Sequence, residues 1–128
     1  MNAYRERRYT AQDGLSLYYR VYGHEHSGSP AILCLPGLTR NSKDFHGVAS
    51  HFCDRYVVYC PDYRGRGQSD YDANAENYAP STYLNDLRHL LVLNGLHRVV
   101  VIGTSLGGLL GMAMSVAMPT AVAGLVMN

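Results

Sequence analysis

Val99-Val100-Val101-Ile102-Gly103-Thr104-Ser105-Leu106-Gly107-Gly108 is the stretch on which the fold turns. Four consecutive β-branched residues read as a buried strand, and Leu106 to Met118 reads as a buried helix. Between them Gly103, Ser105 and Gly107 make the pattern G-x-S-x-G at a strand–turn–helix junction. A side chain thrust up from so tight a turn needs an unusual backbone conformation. Its neighbours two residues away must also be small, so that strand and helix can approach. The start of the helix leaves unpaired N–H groups and the positive end of its dipole beneath Ser105, where an oxyanion would form. The bare pattern would arise by chance about 0.1 times in a chain of this composition, so its place in the junction carries the weight.

The same region raises a second reading. No charged residue occurs from Val99 to Asn128, a run long enough to span a bilayer, and Gly107-x-x-x-Gly111 has the spacing of a membrane helix-packing motif. Gly103, Gly107, Gly108 and Pro119 interrupt the run, however. A buried strand, a buried helix and a further strand over Ala123–Met127 account for it better. No membrane partner is expected.

Upstream, Tyr4–Thr10 and Leu15–Tyr22 are tyrosine-rich segments joined across Asp13-Gly14, a hairpin signal. A polar loop, His24 to Pro30, leads to Ala31-Ile32-Leu33-Cys34-Leu35, a fully buried strand stopped by Pro36-Gly37. A helix follows, capped by Asn41 or Ser42, with Phe45, Val48, Ala49 and Phe52 at i, i+3, i+4 and i+7. Tyr56–Cys60 is the next strand, and Pro61–Pro80 a long turn-rich loop. Ser81 or Thr82 caps a second helix with Leu84, Leu87, Leu90 and Leu91 on its buried face, closed by Asn94-Gly95. A hairpin followed by strand–helix alternation predicts an α/β fold with a mostly parallel sheet flanked by helices. Residues 1–128 are expected to form one domain or a piece of one, without repeats.

Composition narrows the function. Hydrophobic residues make up 47% and charged residues 16%, which excludes disorder. Eleven Lys plus Arg against ten Asp plus Glu leave a net charge of +1, so no nucleic-acid partner is expected. Cys34, Cys53 and Cys60 follow no metal spacing, and no cofactor or metal motif occurs. The basic N-terminus is followed by no apolar stretch, so no cleaved signal peptide is expected and the expected location is the cytoplasm.

Taken with two further segments, the chain resembles the N-terminal portion of an α/β-hydrolase-fold serine hydrolase, an incomplete version of that fold. Within that family it is similar to small-molecule catabolic hydrolases such as 3-oxoadipate enol-lactonase. Leu33-Cys34-Leu35-Pro36-Gly37-Leu38-Thr39 stands where the family carries His-Gly-x after its third strand, with Pro36 in place of the His. Asp62-Tyr63-Arg64-Gly65-Arg66-Gly67-Gln68-Ser69 resembles the family's D-x-R-G-x-G-x-S loop, a scaffold near the site. The resemblance implies Ser105 as nucleophile, supported by Gly103 and Gly107. It also implies an oxyanion hole made by the backbone N–H groups of Leu38 and Leu106. Its implied substrate is the ester, lactone or related acyl bond of a small molecule, cleaved through an acyl-enzyme. Relatives that open epoxides or remove halogen use an Asp where Ser105 stands.

In this family the triad acid and His follow the Ser in chain order, yet residues 106–128 contain neither type. Two alternatives are therefore carried: a triad completed elsewhere, and a catalytically inactive fragment or interaction module that keeps the sheet. Of the upstream histidines only His46 is expected near the right edge of the sheet, with Asp62 able in principle to orient it. A last strand with an uncovered apolar edge would favour self-association or a complementing chain.

Overall fold

A computed structural model describes residues 4–128; Met1, Asn2 and Ala3, the start of the basic N-terminus, lie outside the described residues. The strands are β1 (Tyr4–Thr10), β2 (Ser16–Tyr22), β3 (Ala31–Leu35), β4 (Val58–Pro61), β5 (Val99–Gly103) and β6 (Val122–Met127). The helices are α1 (His46–Phe52), α2 (Pro80–Leu93) and α3 (Leu106–Ala117), with 3₁₀ turns at Ser42–Phe45 and Ala75–Asn77. All six strands join one sheet in the order β1-β2-β4-β3-β5-β6. The hairpin pairs antiparallel, Tyr4 opposite Tyr22 and Thr10 opposite Ser16, and β2 is antiparallel to β4. From β4 through β3 and β5 to β6 the pairing is parallel. Gly14 closes the hairpin turn with a φ of 91°, a conformation that suits a residue without a side chain.

The core lies mainly on one face of this sheet. Leu33, Leu35, Val99 and Val101 point there against Leu87, Leu90 and Leu91 of α2 and Leu110 and Met114 of α3, all buried. Each such side chain contributes about 1.5–3 kcal/mol by leaving water. The other face holds a smaller cluster in which Ile32, Cys34, Val58 and Cys60 meet Phe45 and Ala49. Since α1 is only 7 residues long, Val100 and Ile102 on that face stay half-buried, beside a groove of about 260 Å³. At the outer edge of the sheet β6 leaves Val126 and Met127 about half exposed.

Several element boundaries lie one residue from the sequence-based expectation, and three elements depart from it further. The first helix opens as a 3₁₀ turn, with the Asn41 side chain accepting from Lys43 N at 3.0 Å. Three residues per turn instead of 3.6 rotate the following α-helix. Phe45 and Ala49 are therefore buried while Val48 faces outward. The second helix begins at Pro80 behind Ala79, not at Ser81 or Thr82, because the fixed φ of proline suits a first helical position whose N–H needs no partner. Its buried face includes Tyr83 and Asp86, and Leu84 is only half-buried. The fourth strand runs from Val58 to Pro61, two residues later than its expected start. The uncharged stretch is the unit β5-α3-β6, and among the described residues no helix is long and apolar enough to cross a membrane.

Candidate active site

Ser105 is the point where β5 becomes α3. Its backbone sits at φ 53°, ψ −113°, and it is the only non-glycine residue with positive φ among the described residues. Such a conformation costs about 1–3 kcal/mol and persists only where the surroundings impose it. Thr104 N donates to Leu35 O (3.1 Å) and Ser105 N to Asn128 O (3.2 Å). The Ser105 carbonyl accepts from Gly108 N (2.9 Å) and Leu109 N (3.2 Å). Two glycines make the approach possible: a methyl on Gly107 would overlap the Leu35 carbonyl, and one on Gly103 would overlap the Gly107 carbonyl. The result is an exposed serine on the carboxyl side of the parallel strands, above the first turn of α3. In open α/β sheets this is the edge where ligands bind.

The loop that leaves β3 meets it there, because β3 and β5 are neighbours in register, Leu35 opposite Gly103. A Cβ added to Gly37 would stand 3.9 Å from Ser105 Cβ and 3.9 Å from Thr104 O. Arg40 N donates to Gly37 O at 3.1 Å, closing a turn with Leu38 and Thr39 at its centre. Among the described residues neither Leu38 N nor Leu106 N donates to any protein acceptor. Leu38 is half exposed and Leu106 half-buried. Two unclaimed N–H groups thus belong to segments that flank the serine.

The loop after β4 is built on its polar residues. The Asp62 carboxylate accepts from Ser42 N (2.7 Å) and Gln68 N (3.0 Å), and a methyl on Gly67 would overlap it. Each oxygen accepts one of these backbone bonds, and among the described residues no histidine bonds Asp62, so the orienting role that its position after a strand suggested is not seen in this arrangement. Ser69 Oγ accepts from Tyr18 N (2.8 Å) and donates to Asp62 O (2.7 Å). Arg64, 1% exposed, binds Asp86 through two bonds of 2.6 and 2.8 Å, and reaches Asp13 and Asp72 at 2.7 Å each. The bond to Asp86 raises the Arg64 pKa, and Arg64 in turn holds the Asp13 carboxyl below the usual carboxylate range. Burial pushes Asp86 the other way, upward, against the pull of Arg64. Tyr63 Oη donates to Pro36 O (2.8 Å) and Arg66 Nε to Leu38 O (2.7 Å), joining this loop to the one beside Ser105.

No histidine is brought to the serine among the described residues. His46 Nδ1 lies 2.8 Å from Tyr22 Oη, and its ring packs against Tyr4 and Tyr22. His89 packs on Tyr9, while His24, His26, His51 and His97 are exposed. None hydrogen-bonds Ser105, so His46 is not its base in this arrangement. Among the described residues no group of three His, Cys, Asp or Glu side chains is placed to hold a metal ion.

A family model described as alpha/beta hydrolase fold matches residues 30–128. The chain is similar to the 3-hydroxybutyrate-oligomer hydrolase of Cupriavidus necator, 41% identical over 101 residues, covering 76% of this chain and 34% of that protein. It is 32% identical over 99 residues to a putative carbamate hydrolase, RutD, of Cronobacter sakazakii, covering 77% and 37%. The crystal structure of an alpha/beta hydrolase from Novosphingobium aromaticivorans superposes with a TM-score of 0.94 at 46% identity, over 100% of this chain and 45% of that one. A Vigna radiata epoxide hydrolase structure superposes at 0.89 with 21% identity, a likeness of fold alone. The chain spans between about a third and a half of the length of these relatives.

Proposed function

The chain belongs to the α/β-hydrolase fold family, and from that premise we propose that it carries the nucleophile of a serine hydrolase acting on an ester, lactone or related acyl bond. Ser105 Oγ attacks the carbonyl carbon and its proton passes to a base. The carbonyl oxygen becomes an oxyanion held by Leu38 N–H and Leu106 N–H. Collapse of this intermediate releases the alcohol, which takes the proton, and leaves an acyl-serine. Water, giving a proton to the base, then attacks the acyl carbon; the bond to Ser105 Oγ breaks, the carboxylic acid leaves and Oγ takes the proton back.

The observation that carries this reading is the conjunction at Ser105. A positive-φ serine stands between two glycines whose added Cβ atoms would strike backbone, and Leu106 and the turn holding Leu38, which flank it, each keep an N–H with no protein acceptor among the described residues. Strain of this kind is kept where it positions a reacting group. The strand–turn–helix junction also puts the α3 dipole under the developing charge. A base for Ser105 is taken from chain outside residues 4–128, in keeping with the greater length of the relatives. The name of the Cupriavidus necator relative describes hydrolysis of an oligomer of 3-hydroxybutyrate, units joined through ester bonds, which lies within the proposed class.

The test is turnover of p-nitrophenyl butyrate by the whole protein and its Ser105→Ala variant. The proposal expects kcat to fall by at least about 10³-fold with the fold retained. Undiminished hydrolysis in Ser105→Ala would overturn it.

A further inference from the structure

The family pattern leaves the residue between the two glycines of D-x-R-G-x-G-x-S open, and here it is Arg66. Its side chain does not join the ion network of its neighbour Arg64. Among the described residues it meets no carboxylate, and its acceptors are the carbonyls of Leu38 (2.7 Å from Nε) and Gly65 (3.1 Å). Tyr63, three residues earlier and 4% exposed, spends its hydroxyl on the Pro36 carbonyl at 2.8 Å. Together with the bond from Arg40 N to Gly37 O, these contacts claim three successive carbonyls, Pro36, Gly37 and Leu38. Within that turn the N–H groups of Gly37, Leu38 and Thr39 keep no protein acceptor among the described residues, and the Leu38 N–H lies between the two carbonyls tied by Tyr63 and Arg66.

We propose that Arg66 and Tyr63 are positioning residues of the oxyanion hole, fixing the Leu38 N–H by holding the peptide planes on either side of it. The inference rests on the serine-hydrolase reading of Ser105 and extends it to the loop after β4. A short exposed turn with Leu38 at 50% exposure has little burial to hold it, and peptide planes in such a segment rotate cheaply. Tying the carbonyl before and the carbonyl after the Gly37–Leu38 peptide removes that freedom. The donor is then aimed before substrate arrives, which is the condition for transition-state stabilisation without reorganisation. The anchors are themselves rigid, since the loop carrying them is pinned by Asp62, Arg64 and Ser69. Arg66 and Tyr63 act through Leu38 and touch no reacting atom.

The test uses three variants of the whole protein against p-nitrophenyl butyrate. Arg66→Met keeps length and removes the donor. Arg66→Gln restores an N–H donor at the same number of bonds from the backbone, without the charge. Tyr63→Phe removes only the phenolic oxygen. The expected result for Arg66→Met is a kcat lowered about 10- to 100-fold with KM changed less than about threefold, the signature of a lost transition-state contact. Arg66→Gln is expected to return to within about threefold of wild type, and Tyr63→Phe to lower kcat in the same way as Arg66→Met. If Arg66→Met fails to fold, Tyr63→Phe and Arg66→Gln carry the test. Wild-type kcat in Arg66→Met or in Tyr63→Phe, while Ser105→Ala is inactive, would overturn the positioning role and leave the hydrolase reading standing. Arg66→Gln as impaired as Arg66→Met would also overturn it, assigning the effect to charge. Turnover that survives Ser105→Ala would overturn both.

Discussion

Gly107 and Gly108 are consecutive glycines in the first turn of α3, and they offer a matched pair. In each, alanine brings the same gain in helix propensity, at most about 1 kcal/mol. Their surroundings differ. A Cβ on Gly107 falls on the Leu35 carbonyl of β3 and stands 2.6 Å from its carbon and 2.9 Å from Leu35 Cβ. The obstacle is backbone in a central strand, and Leu35 is itself fully buried, so α3 must lift away from the sheet. A Cβ on Gly108 meets the end of the Met127 side chain at 3.3 Å, which a flexible thioether can yield. Overpacking against rigid structure costs about 1–3 kcal/mol or more. Gly107→Ala is therefore expected to lose about 2–3 kcal/mol net relative to Gly108→Ala. With m-values of about 1–3 kcal/mol/M, urea denaturation followed by circular dichroism would place the Gly107→Ala midpoint about 1 M or more below that of Gly108→Ala. Because lifting α3 also moves Ser105, ester turnover should fall in the same variant. Equal midpoints for the two alanines would refute the close-approach account of the elbow.

Three more perturbations probe other parts of the account. At positive φ glycine is unstrained where alanine is not, so Ser105→Gly should be about 1 kcal/mol more stable than Ser105→Ala by thermal unfolding. Arg64→Met would strand the buried Asp86 carboxylate without its cation and should cost about 3–5 kcal/mol, measured by denaturant unfolding. The bond from Arg64 depresses the Asp13 pKa below its reference of 3.8. Its contribution to stability is thus present above about pH 4 and lost as pH falls through the depressed value. Asp13→Asn should flatten the decline of stability as pH falls below about 4 in acid-unfolding experiments.

The parallel strands and the elbow were legible because their signals are local. The apolar run Ala31–Leu35, the β-branched run Val99–Ile102 and glycines on both sides of Ser105 say most of what their backbones do. The hairpin was equally clear from Asp13-Gly14. What could not be seen depends on distance along the chain. Arg64 meets Asp13 across 51 residues and Asp86 across 22. Nothing in the leucine spacing of α2 announces a buried aspartate, although an arginine in a loop rich in small residues was a hint. The bond from Arg66 to Leu38 spans 28 residues, so the scaffold loop's hold on the Leu38 turn emerges only in three dimensions. At Ser42–Phe45 the fault was one of period, since a 3₁₀ turn and an α-helix share the same apolar spacing for their first residues. The histidines were legible as residues but not as neighbours. His46, placed near the right edge by sequence order, spends its Nδ1 on Tyr22 instead of on the serine.

The central claim, that Ser105 is an activated nucleophile in the working protein, is tested most directly by covalent capture. The protein isolated at its native length from its source cells would be treated with a fluorophosphonate, digested, and the modified peptide sequenced by mass spectrometry. Serine hydroxyls are weak nucleophiles unless a base and an oxyanion hole act on them. The account predicts a single phosphonyl adduct on Ser105, lost when the protein is heat-denatured first. A native protein that carries no adduct at Ser105, or carries it on a different serine, would contradict it.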